Sequence, residues 1–167
     1  MVFGPKRRPA FDGDWVEFDN ILFEPKPLQK PHPPIWVGGE SGPSLRRAPR
    51  FGDAWYPIGS NNRHPLDTLP RYRAGIDRLR QLVAEAGRES ASVAPTYRVK
   101  RYGEAVPVEA SDGERRLFSG STSDIIADLR ALRDLGVAAV DIDFERADPD
   151  DSLAEMRRFR EQVISRV

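Results

Sequence analysis

Apolar and polar positions along the chain repeat one pattern four times: a short apolar run, a polar turn, then apolar residues at helical spacing. Ile35, Trp36 and Val37 form the first run. It has no period, which predicts a strand buried on both faces, as in a parallel sheet. Leu45 to Phe51 is expected to be helical, with Gly52 as its C′ residue. Pro49 falls inside that helix. A proline there removes a hydrogen bond and crowds the preceding turn, at about 3 kcal/mol in a regular helix, so a short or kinked helix is expected. Asp53 to Ile58 reads as the second strand and Gly59 to Pro65 as a polar loop. Leu66, Leu69, Tyr72, Ile76, Leu79, Leu82, Val83 and Ala86 then recur every three or four residues, the stripe of a second helix closed by Gly87. Val93 to Tyr102 is the third strand, and Gly103 to Ser119 a polar connection with little pattern. Ser121-Thr122-Ser123-Asp124 has the form of a capping box. It opens a third helix with Ile125, Leu129 and Leu132 inward and Gly136 at its end. Val137 to Phe144 is the fourth strand, and Asp148-Pro149 starts a last helix with the stripe Leu153, Met156, Phe159, Val163 and Val167.

Strand–helix alternation of this kind builds a parallel sheet with right-handed crossovers. Ahead of it, residues 1 to 13 are basic and rich in proline and glycine, and poor order is expected there. Trp15 to Phe18 and Ile21 to Phe23 flank the turn pair Asp19-Asn20 and read as a small β-hairpin. Pro25, Pro27, Pro31, Pro33 and Pro34 make a stiff, extended lead-in. His32 sits at the N-terminal end of the first strand, where a structural role is expected. No linker divides the chain. It reads as a single domain, with residues 1–33 as lead-in and 34–167 as four βα units. Four such units are half of an eightfold barrel, whose complete form usually takes about 250 residues.

The strongest candidate for chemistry follows the first strand. Gly38 and Gly39 end it, and Glu40, Ser41, Gly42, Pro43 and Ser44 lead into the helix. A strand, a glycine turn and a helix start can aim free backbone N–H groups at an anion. Ser41 is the expected N-cap, and Pro43 lies in the first turn, where its missing N–H costs little. Two readings stand for these residues: an anion site, or a turn that uses glycine and serine for geometry alone. Arg46, Arg47 and Arg50 could reach an anion or form a solvated face. Asp141 and Asp143 alternate with apolar neighbours, and Arg98 and Lys100 share a parity. Both pairs can face one side of the sheet, as a structural ion network or as part of a substrate site. His64 is a weak acid–base candidate in the polar loop.

Composition narrows the classes. Lysines plus arginines equal aspartates plus glutamates at 26 each, so no long-range field favours nucleic acid or an anionic membrane. The absence of cysteine excludes disulfides, iron–sulfur clusters and cysteine-ligated zinc, and two distant histidines argue against a histidine metal site. No apolar run reaches membrane-spanning length and the N-terminus has no signal-peptide core, so a cytoplasmic protein is expected.

Phe23 to Pro57, F-E-P-K-P-L-Q-K-P-H-P-P-I-W-V-G-G-E-S-G-P-S-L-R-R-A-P-R-F-G-D-A-W-Y-P, closely resembles the bacterial luciferase-like oxidoreductases. It looks most similar to members that use coenzyme F420 rather than FMN. The likeness continues more weakly through Gly120-Ser121-Thr122 and Leu135-Gly136-Val137. It implies a TIM-barrel fold of luciferase type, here the C-terminal half with strands five to eight, and no stretch matches strands one to four. Pro49 departs from the pattern, where related sequences tend to have alanine. The resemblance also implies that Gly39, Glu40, Ser41 and Ser44 hold the cofactor phosphate through amides and hydroxyls, Glu40 by its amide alone. The expected function is half of an F420- or FMN-dependent oxidoreductase or monooxygenase acting on a small molecule. Its expected partner is a second copy or a separately encoded N-terminal half. An inactive remnant or half-barrel association module, and a simple binder of phosphate ligands, are the alternatives.

Overall fold

The computed structural model describes residues 10–22 and 24–167. Two compact units divide the chain, Met1–Pro34 and Ile35–Val167. In the first, β1 (Phe11–Asp12) pairs antiparallel with β2 (Glu17–Phe18), and the rings of Phe11 and Phe18 stack at 5.9 Å. The hairpin therefore lies one segment earlier than the pattern suggests. Its turn runs through Gly13, whose N–H donates to Val16 O at 3.2 Å. A Cβ at Gly13 would sit 2.6 Å from the Phe11 ring, so glycine alone lets that ring fold back over the turn. Asn20 does adopt a left-handed turn with φ 56°, but Ile21 and Leu22 after it are exposed and outside any strand. Residues 1–9 and Phe23, on which the expectations of poor order and of the hairpin's second strand partly rest, lie outside the described residues. His32 donates from Nδ1 to Pro33 O at 2.8 Å.

The second unit is a four-stranded parallel sheet in the order β3-β4-β5-β6, with α/β alternation throughout. Its strands are β3 (Trp36–Gly38), β4 (Ala54–Tyr56), β5 (Ala94–Val99) and β6 (Ala139–Ile142). The helices are α1 (Gly42–Phe51), α2 (Leu69–Glu85), α3 (Thr122–Asp134) and α4 (Pro149–Gln162). Alternate residues of the strands divide between two faces. Trp55, Tyr97 and Val99 turn toward the helices and into the core. There an aromatic chain runs from Trp55 through Tyr72 and Tyr97 to Phe118, with ring centroids 4.7–5.9 Å apart. The other face carries Trp36, Tyr56, Arg98 and Asp141. It is left open: Trp36 is 46% exposed. The expected double-sided burial of β3 thus does not hold, because this strand is at the sheet edge and only Val37 meets the core.

Two details of α1 differ from expectation. Gly52 does not take the left-handed conformation; its φ is −112° and its N–H donates to Ala48 O at 2.9 Å. A Cβ there would lie 2.7 Å from Val37 Cγ2, so this glycine serves the close pass of the helix end over β3. Arg88 meets one open carbonyl of the last turn, donating to Pro49 O at 2.8 Å, and it ties that helix end to the chain beyond by donating also to Gly52 O at 2.9 Å and Ser92 O at 3.0 Å. The helix also runs through Pro49 to Phe51 instead of ending at the proline, whose ring is buried. Pro49→Ala should therefore stabilise the fold. The helix penalty of about 3 kcal/mol, less about 1–2 for lost ring burial and a freer unfolded chain, leaves a gain of about 1–2 kcal/mol. Denaturant melts of the two proteins check this, and an unchanged midpoint would show that the chain has already relaxed around the ring.

The remaining helices follow their sequence signals. Thr68 caps α2, and Tyr72, Ile76, Leu79, Leu82 and Val83 form its buried stripe. Ser121 and Asp124 form the reciprocal capping box of α3, and Asp148 caps α4. Gly87 and Gly136 take φ +69° and +81° just after α2 and α3, the left-handed turn that favours glycine. The α4 stripe is only half covered. Phe159 and Val163 are buried, but Leu153 and Met156 are 48% and 49% exposed. With Val140, Ile142 and Phe144 they line an open apolar groove of about 430 Å³.

The connection from Gly103 to Ser119 is not a passive linker. Leu117, Phe118 and Ser119 are buried in it. Asp128, from α3, accepts the Phe118 N–H at 2.6 Å and pairs with Arg115. Burial pushes the Asp128 carboxyl up, and those two partners pull it back only in part. Among the described residues no helix is long and apolar enough to cross a membrane.

Candidate functional site

The turn between β3 and α1 is held from two sides. From β4, the buried Trp55 donates its indole N–H to Gly39 O at 2.9 Å. From the turn, the Glu40 carboxylate reaches to the loop after β4, accepting the Ile58 N–H and the Asn61 side-chain amide, both at 2.6 Å. Asn61 in turn accepts the N–H groups of Arg63 and His64. Glu40 thus braces the turn through its carboxylate, a role the sequence reading did not include. The carboxylate lies with these donors, so its charge is compensated there.

Gly39 stands at φ +110°, and a Cβ on it would meet Ser44 Oγ at 2.6 Å and Ser44 Cβ at 2.7 Å. The backbone therefore bends directly against the serine. Ser41 caps α1 by accepting the Ser44 N–H, at a long 3.4 Å. The two serine hydroxyls are 2.9 Å apart, so one hydroxyl hydrogen bridges them and the other is available to a ligand. Among the described residues, the N–H groups of Glu40, Ser41 and Gly42 have no acceptor within the fold. They stand at the positive end of a ten-residue helix.

Cations stand close by. Arg47 donates from Nη2 to Ser44 Oγ at 3.1 Å, and Arg46 Nη1 lies 3.3 Å from where a Gly42 Cβ would be. Both therefore lie by the first turn of α1. Arg50 instead lies over the Phe51 ring at 5.4 Å. The structure thus brings together Gly39, Glu40, Ser41 and Ser44 as one cradle with Arg47 beside it. No acid occupies the first turn of α1. The arrangement can hold a compact anion by amide and hydroxyl donors.

The other candidates lie apart. His64 is exposed in the loop after β4, its backbone tied to Asn61. On the open sheet face Arg98 and Asp141 are in register, with Nε and Oδ2 3.8 Å apart, and the Tyr56 hydroxyl donates to Asp141. Burial, then that bond to Asp141, raises the Tyr56 hydroxyl, which stays protonated. Asp143 accepts the Glu145 N–H at 2.9 Å just beyond β6. Trp55 is a site residue that sequence reasoning missed, whereas Arg47 is one of the three arginines it left between an anion contact and a solvated face. A tryptophan in a buried strand needs an acceptor for its N–H, but nothing in the sequence says where that acceptor is.

Comparison with known proteins agrees with this architecture. An FMNH2-dependent dimethylsulfone monooxygenase of Pseudomonas putida is 35% identical over 78 residues, 47% of this chain and 20% of the relative. An F420-dependent secondary alcohol dehydrogenase, solved in complex with an F420–acetone adduct, superposes with a TM-score of 0.68 at 14% identity, covering all of this chain and 58% of its own. A coenzyme F420-dependent tetrahydromethanopterin reductase from Methanopyrus kandleri gives 0.64 at 12% identity, covering 93% of this chain and 57% of its own. EDTA monooxygenase from Chelativorans sp. BNC1 gives 0.61 at 17% identity, covering 98% of this chain and 52% of its own. The chain thus spans little more than half the length of these solved structures. The four parallel βα units match part of their larger fold, and the family model for luciferase-like monooxygenases matches residues 4–121. The chain belongs to the luciferase-like monooxygenase family.

Proposed function

We propose that this chain forms the C-terminal, phosphate-holding part of an F420- or FMN-dependent oxidoreductase. The observation that carries this reading is the cradle at the start of α1. Free N–H groups at Glu40, Ser41 and Gly42, the Ser41–Ser44 hydroxyl pair and the nearby Arg47 suit the phosphate end of either cofactor. Relatives of both cofactor types support the same reading. A bound cofactor of this class supplies hydride transfer or, with dioxygen, monooxygenation of an organic substrate. What this chain contributes is position: Trp55 and Glu40 hold the turn, the Glu40 carboxylate is engaged by Ile58 and Asn61, and no acid occupies the first turn of the helix that faces the anion.

Ser41→Ala removes the cap and one ligand hydroxyl. It should weaken the binding of F420 or FMN by about 1.5–3 kcal/mol, the worth of one charge-assisted hydrogen bond. Calorimetric titration of both proteins with each cofactor measures this and shows which cofactor is preferred. Equal affinities for wild type and variant would remove Ser41 from the site.

A second reading concerns assembly. The apolar groove between β6 and α4, together with the free edges of β3 and β6, favours association with a second copy or with a partner that supplies further βα units. Light scattering on a sizing column should find more than a monomer, or a monomer that becomes competent only with its partner. A stable monomer that turns over reduced cofactor by itself would end this reading.

A further inference from the structure

Where β4 and β5 end, the loops enclose a cavity of about 640 Å³. That is within the range of small-molecule sites, roughly 300–1,000 Å³. Pro65, Val106 and Pro107 give it accessible apolar lining, while five cationic side chains and a single carboxylate, Asp67, also line it. Two of the cations are already matched. Arg71 and Arg116 both bond Asp67, at 2.7 and 2.9 Å, and Arg71 also holds Asp112 at 2.9 Å.

The other three are less fully matched. Among the described residues, Lys100 and Arg101 have neither a hydrogen bond nor an ion pair from their side chains. Arg98 has its Nε shut off from solvent without a hydrogen-bond partner. Its nearest acid, Asp141, is 3.8 Å away and already accepts from Tyr56. A buried guanidinium N–H without an acceptor is costly, and a fork of donors beside an ammonium suits a carboxylate. The imbalance is local, since the whole chain carries no net charge.

We propose that this cavity binds an organic acid. Its carboxylate lies on Arg98 and Lys100, and its apolar body lies against Pro65, Val106 and Pro107. As a binding site this stands on the cavity alone; that the acid is the substrate rests on the oxidoreductase reading above. The cavity and the α1 cradle are lined by different side chains, so the two can be tested apart.

The test titrates the full chain with benzoate and with neutral benzamide, followed by amide NMR shifts. Benzoate should saturate shifts around Val99 to Arg101 and bind at least about tenfold tighter than benzamide. Arg98→Gln and Lys100→Gln should each weaken benzoate about tenfold, and Ser41→Ala should leave it unchanged. Lys100 is exposed, so its variant keeps the test decisive if Arg98→Gln fails to fold. Equal binding of benzoate and benzamide, undiminished benzoate affinity in Lys100→Gln, or no saturable shift would each overturn the proposal. So would shifts centred on Gly39 to Ser44 that vanish in Ser41→Ala, which would place the anion in the cradle instead. Loss of FMN and F420 binding with benzoate binding intact would fault the oxidoreductase reading and leave the acid site standing.

Discussion

Asp128→Ala is expected to lower the stability of the chain by about 3–5 kcal/mol, the largest effect of any single change considered. The carboxylate is buried at the N-terminal half of α3 and has two partners from the preceding connection, the Phe118 N–H and Arg115. Alanine leaves an amide without an acceptor and a guanidinium without its counter-charge. Phe118 then loses its anchor at the end of the aromatic chain through Tyr97 and Tyr72. Asp128→Asn should cost less, because its oxygen can still accept from Phe118. The pH dependence has a definite sign. Since the folded carboxyl is raised, its stabilising share is full below the unfolded value near ~3.9 and declines as pH rises through the folded one. Denaturant midpoints of the three proteins between acid and neutral pH measure both effects. An alanine variant as stable as wild type would mean that the connection is held without Asp128.

Gly39→Ala should cost about 2–4 kcal/mol and abolish cofactor retention. Part is backbone strain, because φ +110° suits glycine and few other residues. The rest is overlap with Ser44, whose Cβ and Oγ are 2.7 and 2.6 Å from the added methyl group. The double variant Gly39→Ala, Ser44→Gly separates the two: it should regain the overlap portion of the stability but not the binding, since one hydroxyl of the pair is gone. Thermal or denaturant melts beside calorimetry read both. If Gly39→Ala alone binds FMN and F420 as wild type does, the cradle is not where the phosphate lies.

Much of this molecule could be read from local signals. The stripe of α2, the capping box at Ser121 and Asp124, the cap at Ser41 and the left-handed glycines at 87 and 136 are each decided within a few residues of chain. What escaped depends on distant parts meeting. Gly52 resembles a helix-ending glycine by position, but it is needed for the close pass over Val37, and Arg88 from beyond α2 meets the Pro49 carbonyl. Asp128 resembles a solvated helix residue until Phe118 is folded over it. Glu40 next to a phosphate turn invites the expectation of an idle or repelled side chain; its partners are 18 and 21 residues away. The last stripe misled for a different reason. Periodicity says which side of α4 is apolar, not whether anything covers it.

The reach of Glu40 has a thermodynamic consequence. One of its oxygens is held at Ile58, the other at Asn61, and Asn61 also lines the cavity beside Arg98. The turn that would clasp a phosphate and the wall that would clasp an acid are thus one hydrogen-bonded piece. A ligand that stilled the turn would also still the wall, leaving a second ligand less motion to arrest. Linkage of this kind would be reciprocal, each ligand tightening the other by the same factor whichever arrives first.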